Sequence, residues 1–353
     1  MSDYSEQFNI KQTEKLRELC RSLPECAFEF FRGIENRTSA LTRVGYARDL
    51  KLFFTYLTEN IGRFMDKEIV DFTIKDLSTV TPTEIEMFLE YLSFYKDENG
   101  KKCVNSASGK NRKLACLRSF YKYFFKKEKI ENNPAAIVDM AKLHEKPIIR
   151  LDVNEVADLL DNVESGETLS KREKGFHDAK TAKRDLAIIT LFLSTGIRIS
   201  ELVGLDITDF DFENNSFLIT RKGGKQSVLF FGKETKDALL EYLEQRKQIE
   251  ALNEEDKNAF FLSLQKRRIG VRAVQKLVKK YAVGTTPLKK ISPHKLRSTF
   301  GTMLYNETGD IYLVADVLGH KNVNTTQKHY AAQDEANRRY ASKQIKLREK
   351  DKE

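Results

Sequence analysis

The sequence predicts a mainly α-helical protein with two domains and one small antiparallel sheet. Its 353 residues are enough to form two separate hydrophobic cores. Apolar residues recur near helical spacing in most segments, as in TRVGYARDLKLFFTYL and TPTEIEMFLEYLSFY. Two strand-like segments stand out, SFLITR and QSVLFF. They flank a Gly-Gly pair that favours a tight hairpin, because both glycines can adopt positive φ.

Composition and stop signals divide the chain into five predicted segments. Lys146-Pro147 favours extended backbone and suggests a linker, and Asn132-Asn133-Pro134 ends the helical pattern before it. The segments are an N-terminal helical extension (1–37), a helical domain (38–143), a linker (144–150), a second domain that is mostly helical (151–340) and a charged C-terminal tail (341–353).

Two local features lead to specific structural expectations. Thr83 is a candidate N-cap, and Glu86 follows it with the spacing of a capping box. Residues 165–182 are polar and lack apolar periodicity, so we expect a surface loop there. His177 lies in this segment and has no evident partner in the sequence.

Positive charge is concentrated in two blocks. The net charge is +9, and residues 101–130 hold ten Lys or Arg and one acid, while residues 266–280 hold seven basic residues and no acid. Such blocks are often solvated helix faces, but the near absence of acids favours contact with the phosphates of a long polyanion. The candidate DNA-binding residues are Lys110, Arg112, Lys113, Arg118, Lys122, Arg267, Arg268 and Arg272.

Other features exclude several classes of protein. The chain has no apolar run of about 18 residues, so we expect no membrane span. Its polar start does not resemble a secretory signal. The four cysteines have no CxxC spacing and are expected to be reduced thiols in a cytoplasmic protein. No glycine-rich phosphate loop supports nucleotide hydrolysis.

The C-terminal half carries an ordered set of residues suited to metal-free cleavage of a phosphodiester. The motifs are TGIRISEL, TRKGGK, PHKLR, LGH and TTQKHY. Guanidinium groups stabilise the charge that grows on phosphate oxygens. A tyrosine hydroxyl can form a covalent phosphoester, and lysine and histidine can supply acid and base. Each residue alone would be read as structural; the order of the whole set carries the signal.

This set resembles the tyrosine recombinases, and most closely the Xer site-specific recombinases, from about Thr38 to the C-terminus. The resemblance implies a SAM-like helical core-binding domain followed by a catalytic domain. It implies Arg198, Lys222, His294, Arg297 and His320 as catalytic residues, Tyr330 as the nucleophile and Glu201 as a supporting acid. Lys222 would protonate the 5′-hydroxyl leaving group.

The same resemblance implies partners and cofactors. The family cleaves a specific double-stranded DNA site through a 3′-phosphotyrosyl intermediate and a Holliday junction, with no metal, ATP or other cofactor. The working unit would be a homotetramer on two DNA sites, joined by exchange of the C-terminal helix. An accessory regulatory protein is a further possible partner. The chain length and the segment 165–182 resemble the single-recombinase Xer branch, whose role is chromosome or plasmid dimer resolution.

The sequence departs from the family pattern at two places. The Xer tyrosine stands nine positions after the LGH histidine, where this chain has His329, and Tyr330 is one residue later. A one-residue insertion or a shifted helix start would present Tyr330, whereas Tyr340 is too far along. Ser298 stands where HxxRH is common, and Lys225 is a rival to Lys222 for the hairpin lysine.

Four alternatives remain open at this point. A mobile-element integrase and a relaxing topoisomerase would share the chemistry. A non-catalytic helix-turn-helix protein would explain the basic blocks and the segment IYLVADVLGHKNVNTTQKHYA, but not the arginines and the hairpin lysine. A metal enzyme using His294, His320 and His329 has no support from a known ligand spacing.

Overall fold

The computed structural model of the protein describes residues 3–143, 148–221, 224–320 and 322–323. The described residues up to 143 form one compact unit, the N-terminal unit, and those from 148 onward form a second, the C-terminal unit. The predicted fold class is confirmed: the described residues are mainly helical, with a small antiparallel sheet in the C-terminal unit.

The N-terminal unit is a helical bundle that includes the first helix of the chain. Leu16 and Cys20 lie in the same core as Phe53 and Phe120, so the predicted boundary at residue 37 does not coincide with a break in this core. Its described α-helices are α1 (Asp3–Cys20), α2 (Glu25–Gly33), α3 (Ala40–Asn60), α4 (Ile74–Thr79), α5 (Pro82–Tyr91), α6 (Ala107–Lys126) and α7 (Pro134–Ile137).

Two details of this unit differ from the sequence expectations. Helix α5 begins earlier than expected: Thr81 is the N-cap, and Glu84 completes the capping box. The reason is Pro82, whose fixed φ and missing N–H suit the first helical position. The second difference is a short antiparallel pair, β1 (Tyr95–Lys96) and β2 (Lys102–Cys103), in a domain expected to be wholly helical.

The C-terminal unit surrounds one buried helix. Helix α10 is buried at each position from Ala187 to Leu193, and it packs against α8, α12 and α14. A helix that is apolar on all sides is expected at such a central position. The α-helices described here are α8 (Val153–Ser165), α9 (Lys171–Phe176), α10 (Ala182–Thr195), α11 (Ile199–Leu202), α12 (Lys233–Lys247), α13 (Val271–Thr285), α14 (Pro293–Thr308) and α15 (Ile311–Leu318).

The sheet of this unit contains the predicted hairpin and one further strand. Strands β4 (Ser216–Thr220) and β5 (Gln226–Phe230) pair antiparallel, with Ser216 opposite Phe230 and Thr220 opposite Gln226. Strand β3 (Phe210–Asp211) adds to the outer edge of β4. Two residues are too short a segment for an alternating pattern, which is why β3 has no signal in the sequence.

The expectation of a surface loop at 165–182 is wrong. The segment contains α9 and a π-helical turn, His177–Thr181, that runs into α10. His177 is only 2% exposed, with Nε2 2.8 Å from the carbonyl oxygen of Val163 and Nδ1 2.7 Å from Asp178 Oδ1. This buried histidine holds the segment against α8 without an apolar stripe, so the periodicity of apolar residues does not reveal the helical structure.

All four cysteines are free, and burial raises the pKa of the Cys20 thiol to about 11. Such a thiol is protonated and unreactive at neutral pH. In the part of the chain that the structure describes, no helix combines the length and the apolar character needed to cross a membrane.

Candidate active site

Arg198 is placed by the sharp junction between α10 and α11. Helix α10 ends at Gly196, which has a φ of +60°, and a Cβ there would lie 2.4 Å from the ring of Phe300. Arg198 then serves as the N-cap of α11. Its main-chain N–H donates to Glu201 Oε2 at 2.9 Å, and its Nη1 donates to Glu201 Oε1 at 2.8 Å. The Glu201 side chain is 4% exposed, so it holds both the backbone and the guanidinium of Arg198.

Arg297 is buried between two helix ends. It lies on α14 and is 5% exposed. Nη1 donates to the carbonyl of Gly196 and Nη2 to the carbonyl of Leu318. These contacts tie the end of α10 to the end of α15. His294 lies three residues earlier on α14 and is exposed, a spacing that places two side chains on the same face of a helix. Ser298 donates to the carbonyl of His294 at 3.0 Å.

The end of α15 collects three guanidinium groups. Gly319 caps the helix with a φ of +62°. Arg198 Nη2 donates to the Gly319 carbonyl at 3.1 Å, Arg297 donates to the Leu318 carbonyl, and Arg221 Nη2 donates to the Val317 carbonyl at 2.9 Å. The last carbonyls of a helix lack intrahelical partners and carry partial negative charge, so they attract cations.

His320 follows directly on this capped end. Its main-chain N–H donates to the carbonyl of Ala315 at 2.9 Å, which closes the last turn of α15. The histidine is thereby held at the same helix end as Arg198 and Arg297. The structure brings these three predicted residues together, and it places His294 on the helix that carries Arg297.

Two predicted residues lie outside the described part of the chain. Lys222 and Tyr330 are not among the described residues, and the same holds for His329. Lys225, the rival hairpin lysine, is exposed. The assignments of the hairpin lysine and of the nucleophile therefore stay predictions from the sequence.

Arg221 is a site residue that sequence reasoning missed. It is half-buried, and it contacts the same helix end as the two predicted arginines. Burial lowers the pKa of its guanidinium, an effect opposed by the nearby carboxylate of Glu201. In the sequence, Arg221 is one more basic residue beside a hairpin, and nothing distinguishes it there from a solvent-exposed cation.

The basic residues of α6 fall into two groups. Arg112 donates to Asp49, with Nη2 2.7 Å from Oδ1, and Arg118 Nε donates to the Ala135 carbonyl at 3.1 Å. Lys113 is 7% exposed, and its Nζ lies 2.8 Å from Asn105 Oδ1. These three candidates for DNA contact have polar partners within the N-terminal unit, and the Arg112 side chain is still 54% exposed.

The remaining cations of α6 are Lys110, which is half-buried, and Lys122 and Lys126, which are exposed. Lys110 donates to the hydroxyl of Ser93 at 2.6 Å. Lys122 is exposed and lines a cavity of about 520 Å³ whose other basic groups are Arg37, Lys126 and Lys127. Among the described residues, no carboxylate forms an ion pair with Lys122, Lys126 or Lys127. This cavity, the α6 basic pocket, is lined by four cations and no acid.

The second basic block is divided in the same way. Arg268 donates to the carbonyl of Leu205 at 3.0 Å and to Asp206 Oδ1 at 2.5 Å, so it stabilises the chain after α11. Arg267 and Arg272 are exposed.

No group of three or more His, Cys, Asp or Glu side chains within the described ranges has the arrangement of a metal site.

The contact between Gly319 and Arg221 leads to a stability prediction. A Cβ at Gly319 would lie 1.4 Å from Arg221 Nη1, whereas Gly309, the C-cap of α14 with a φ of +65°, has open space. Gly309→Ala should cost about 1–2 kcal/mol, the penalty for left-handed backbone. Gly319→Ala should cost more than that, because the Arg221 guanidinium must also move. Thermal or urea unfolding measures both values.

A double-mutant cycle tests the origin of this difference. In an Arg221→Ala background, the excess cost of Gly319→Ala over Gly309→Ala should disappear. If the two glycine substitutions cost the same in the native background, the close contact has no energetic consequence.

Comparisons with known proteins identify the family. The phage integrase family matches residues 150–337. The chain is 35% identical over 288 residues to tyrosine recombinase XerC of Caldanaerobacter subterraneus subsp. tengcongensis, covering 80% of this chain and 75% of the relative. It is 30% identical over 341 residues to tyrosine recombinase XerS of Lactococcus lactis subsp. cremoris, covering 90% of this chain and 93% of the relative.

Solved structures share the fold. The XerH site-specific recombinase bound to a palindromic difH substrate matches with a TM-score of 0.66 and 20% identity, covering 97% of each chain. The Tn1549 transposon integrase in complex with a circular intermediate DNA matches with a TM-score of 0.63 and 19% identity, covering 92% of this chain and 100% of that one. The predicted resemblance is confirmed: this chain belongs to the phage integrase family of tyrosine recombinases.

Proposed function

We propose that this protein is a site-specific recombinase of the Xer type that cleaves and rejoins double-stranded DNA through a 3′-phosphotyrosyl intermediate and a Holliday junction. The observation that carries the proposal is the pair of guanidinium groups, Arg198 and Arg297, held at the end of α15 next to His320. Fixed cations of this kind suit a reaction in which charge grows on phosphate oxygens.

The arginines are preorganised by protein groups before any substrate arrives. Glu201 orients Arg198, and two main-chain carbonyls orient Arg297. Because these groups need no rearrangement, their full electrostatic effect is available to the transition state. Loss of one such donor typically raises a barrier by about 3–4 kcal/mol, so two arginines supply a large part of the acceleration.

The remaining steps need a nucleophile, a base and an acid. In the proposed reaction the phenolic oxygen of Tyr330 attacks phosphorus, and a histidine accepts its proton. The bond from phosphorus to O5′ breaks, and the ammonium of Lys222 gives a proton to O5′. The products are a 3′-phosphotyrosine and a free 5′-hydroxyl. A 5′-hydroxyl of the partner duplex reverses these steps, which joins the exchanged strands.

Dimer resolution is the role we favour over integration of a mobile element. The XerS relative is similar along 341 residues, whereas the transposon integrase is 19% identical and supports only the fold. Integration remains the second candidate, because it would use the same residues. A non-catalytic helix-turn-helix protein would leave the ordered set of motifs that carries Arg198, Lys222 and Arg297 unexplained.

The DNA contacts of the N-terminal unit are proposed for the cations that form no ion pair with a carboxylate among the described residues. Of the predicted residues, these are the half-buried Lys110 and the exposed Lys122, together with the other cations of the α6 basic pocket. Arg112, Lys113 and Arg118 have partners inside the protein, so their release to phosphate would uncover those partners. In the second block, Arg267 and Arg272 are the exposed candidates.

We also propose that the protein is cytoplasmic, because it would act on cellular DNA and has four free thiols.

The first prediction concerns the nucleophile. Cells producing the native protein are lysed in SDS, and DNA held covalently by the protein is recovered and sequenced. Adducts should map to one locus, be absent with Tyr330→Phe, and persist with Tyr340→Phe, because only Tyr330 supplies the attacking oxygen. Adducts that vanish with Tyr340→Phe and persist with Tyr330→Phe would move the nucleophile to Tyr340.

A second prediction concerns the α6 basic pocket. Replacing Lys122, Lys126 and Lys127 by alanine should reduce the slope of log affinity against log salt by up to about three, roughly one per lost phosphate contact. The buried Lys113→Ala variant is the matched control: it should lower thermal stability and leave the slope unchanged. An unchanged slope in the triple variant would remove this pocket from the DNA interface.

A third prediction concerns assembly. We propose a homotetramer on two DNA sites, joined by the C-terminal segment, with an accessory protein as a further partner. Residues 338–353 lie outside the described ranges, and their support is the family resemblance. Removing them should leave single-site affinity within about twofold and reduce the two-site complex by more than about tenfold, since avidity is lost. Gel shift and mass photometry measure the two quantities, and equal losses would contradict the proposed tether.

A further inference from the structure

Arg221 joins the hairpin to the catalytic helix end through both its backbone and its side chain. Its N–H donates to the carbonyl of Lys225 at 2.8 Å, and its carbonyl accepts from the Gly224 N–H at 3.0 Å. These bonds close the turn that follows β4. The guanidinium of the same residue extends from the base of the turn to α15, where it donates to the Val317 and Asp316 carbonyls at 2.9 and 3.4 Å.

The side chain packs tightly against the helix cap. Arg221 occupies the space beside the Cα of Gly319: an added Cβ would lie 1.4 Å from Nη1 and 2.4 Å from Cζ. Glycine at this position therefore meets two requirements at once: it permits the left-handed φ of +62°, and it admits the guanidinium. The base of the hairpin and the residue before His320 are thus in direct contact.

This arrangement is costly for a surface cation to adopt. Arg221 Nε is buried and has no hydrogen-bond partner among the described residues, and an unpaired buried donor costs free energy. Burial also disfavours the charged guanidinium, and the nearby carboxylate of Glu201 offsets part of that cost. An arginine required only for solubility would remain in water, so the contact with α15 indicates a positional role.

The guanidinium groups of Arg198, Arg221 and Arg297 all donate to carbonyls at this helix end, so these side-chain contacts alone do not separate a role on the phosphate from a role on the hairpin. Arg221 differs from the other two in its backbone, which bonds to Gly224 and Lys225 at the base of the hairpin.

We propose that Arg221 is a positioning residue: it fastens the base of the β4–β5 hairpin to the end of α15, and this joint supports the protonation of the leaving oxygen. This inference rests on the proposed function, in which Lys222 protonates O5′. Lys222 itself lies outside the described residues, and Arg221 is the described residue that precedes it.

The test replaces the leaving oxygen by sulfur. In a DNA site with a 5′-bridging phosphorothiolate, the scissile bond releases a thiolate, and a thiol near pKa 8.5 leaves without the proton that an alcohol requires. Cleavage is measured in single turnover with native protein, Arg221→Ala, Lys222→Ala and Arg198→Ala. General-acid catalysis typically contributes about 10²–10⁴-fold. On DNA with the natural bridging oxygen (oxygen DNA), we expect Arg221→Ala to cleave at least about 10-fold more slowly than the native protein. On the phosphorothiolate substrate (sulfur DNA), its cleavage rate should recover to within about threefold of the native rate.

The controls separate this inference from the proposed function. Lys222→Ala should also recover on sulfur DNA, while Arg198→Ala should stay slow on both substrates because its role is on the phosphate. If Lys222→Ala recovers and Arg221→Ala does not, the positioning role is overturned and the proposed function stands. If neither recovers, Lys222 is not the acid, and both assignments fail.

Two further measurements exclude loss of folding as the cause. Gly309→Ala perturbs a helix cap in open space and should cleave both substrates at the native rate. Arg221→Lys retains the positive charge but has a single terminal nitrogen. Its cleavage rate should lie between those of the native protein and Arg221→Ala on DNA with the natural oxygen, and should match the native rate on the sulfur-substituted DNA. An Arg221→Ala protein with native thermal stability and undiminished oxygen cleavage would also overturn the proposal.

Discussion

The candidate active site of this protein depends on the capping of one short helix by arginines from three different elements. Helix α15 has a small apolar cluster of its own, built on Val314 and Leu318. Its last carbonyls have no intrahelical partners, and Arg198, Arg221 and Arg297 satisfy them. The orientation of α15, and with it the position of His320, therefore follows from these polar contacts together with the packing of Val314 and Leu318 against α14.

In the proposed reaction, the same cations have a structural and a chemical role. Arg297 ties the end of α10 to the end of α15, while Glu201 holds Arg198 for its contact with Gly319. Truncating either arginine removes a charge from the reaction and also leaves main-chain carbonyls unsatisfied. A loss of activity in such a variant is therefore a sum of two effects, and lysine, which lacks the planar fork, separates them only in part.

The sequence predicted the parts of this protein that have strong local signals. The buried helix α10, the Gly-Gly hairpin and the ordered catalytic motifs all follow from apolar runs, turn chemistry or residue order. Features that depend on contacts between distant residues could not be predicted from the sequence. Lys113 looks like a DNA-binding cation until its burial and its bond to Asn105 are known, and Arg221 gains its importance only from the helix end that it meets.

The buried histidine in the segment before α10 changes how that segment should behave. A polar loop is the usual site for proteolytic cleavage and for tolerated insertions. His177 instead contacts Val163 on α8 and Asp178 in its own turn, and its ring fills the space beside Gly166. Cleavage in this segment must wait for local unfolding, so resistance to protease there reports the folding of the segment onto α8. The segment is therefore anchored to the C-terminal unit through His177, although most of its residues are exposed.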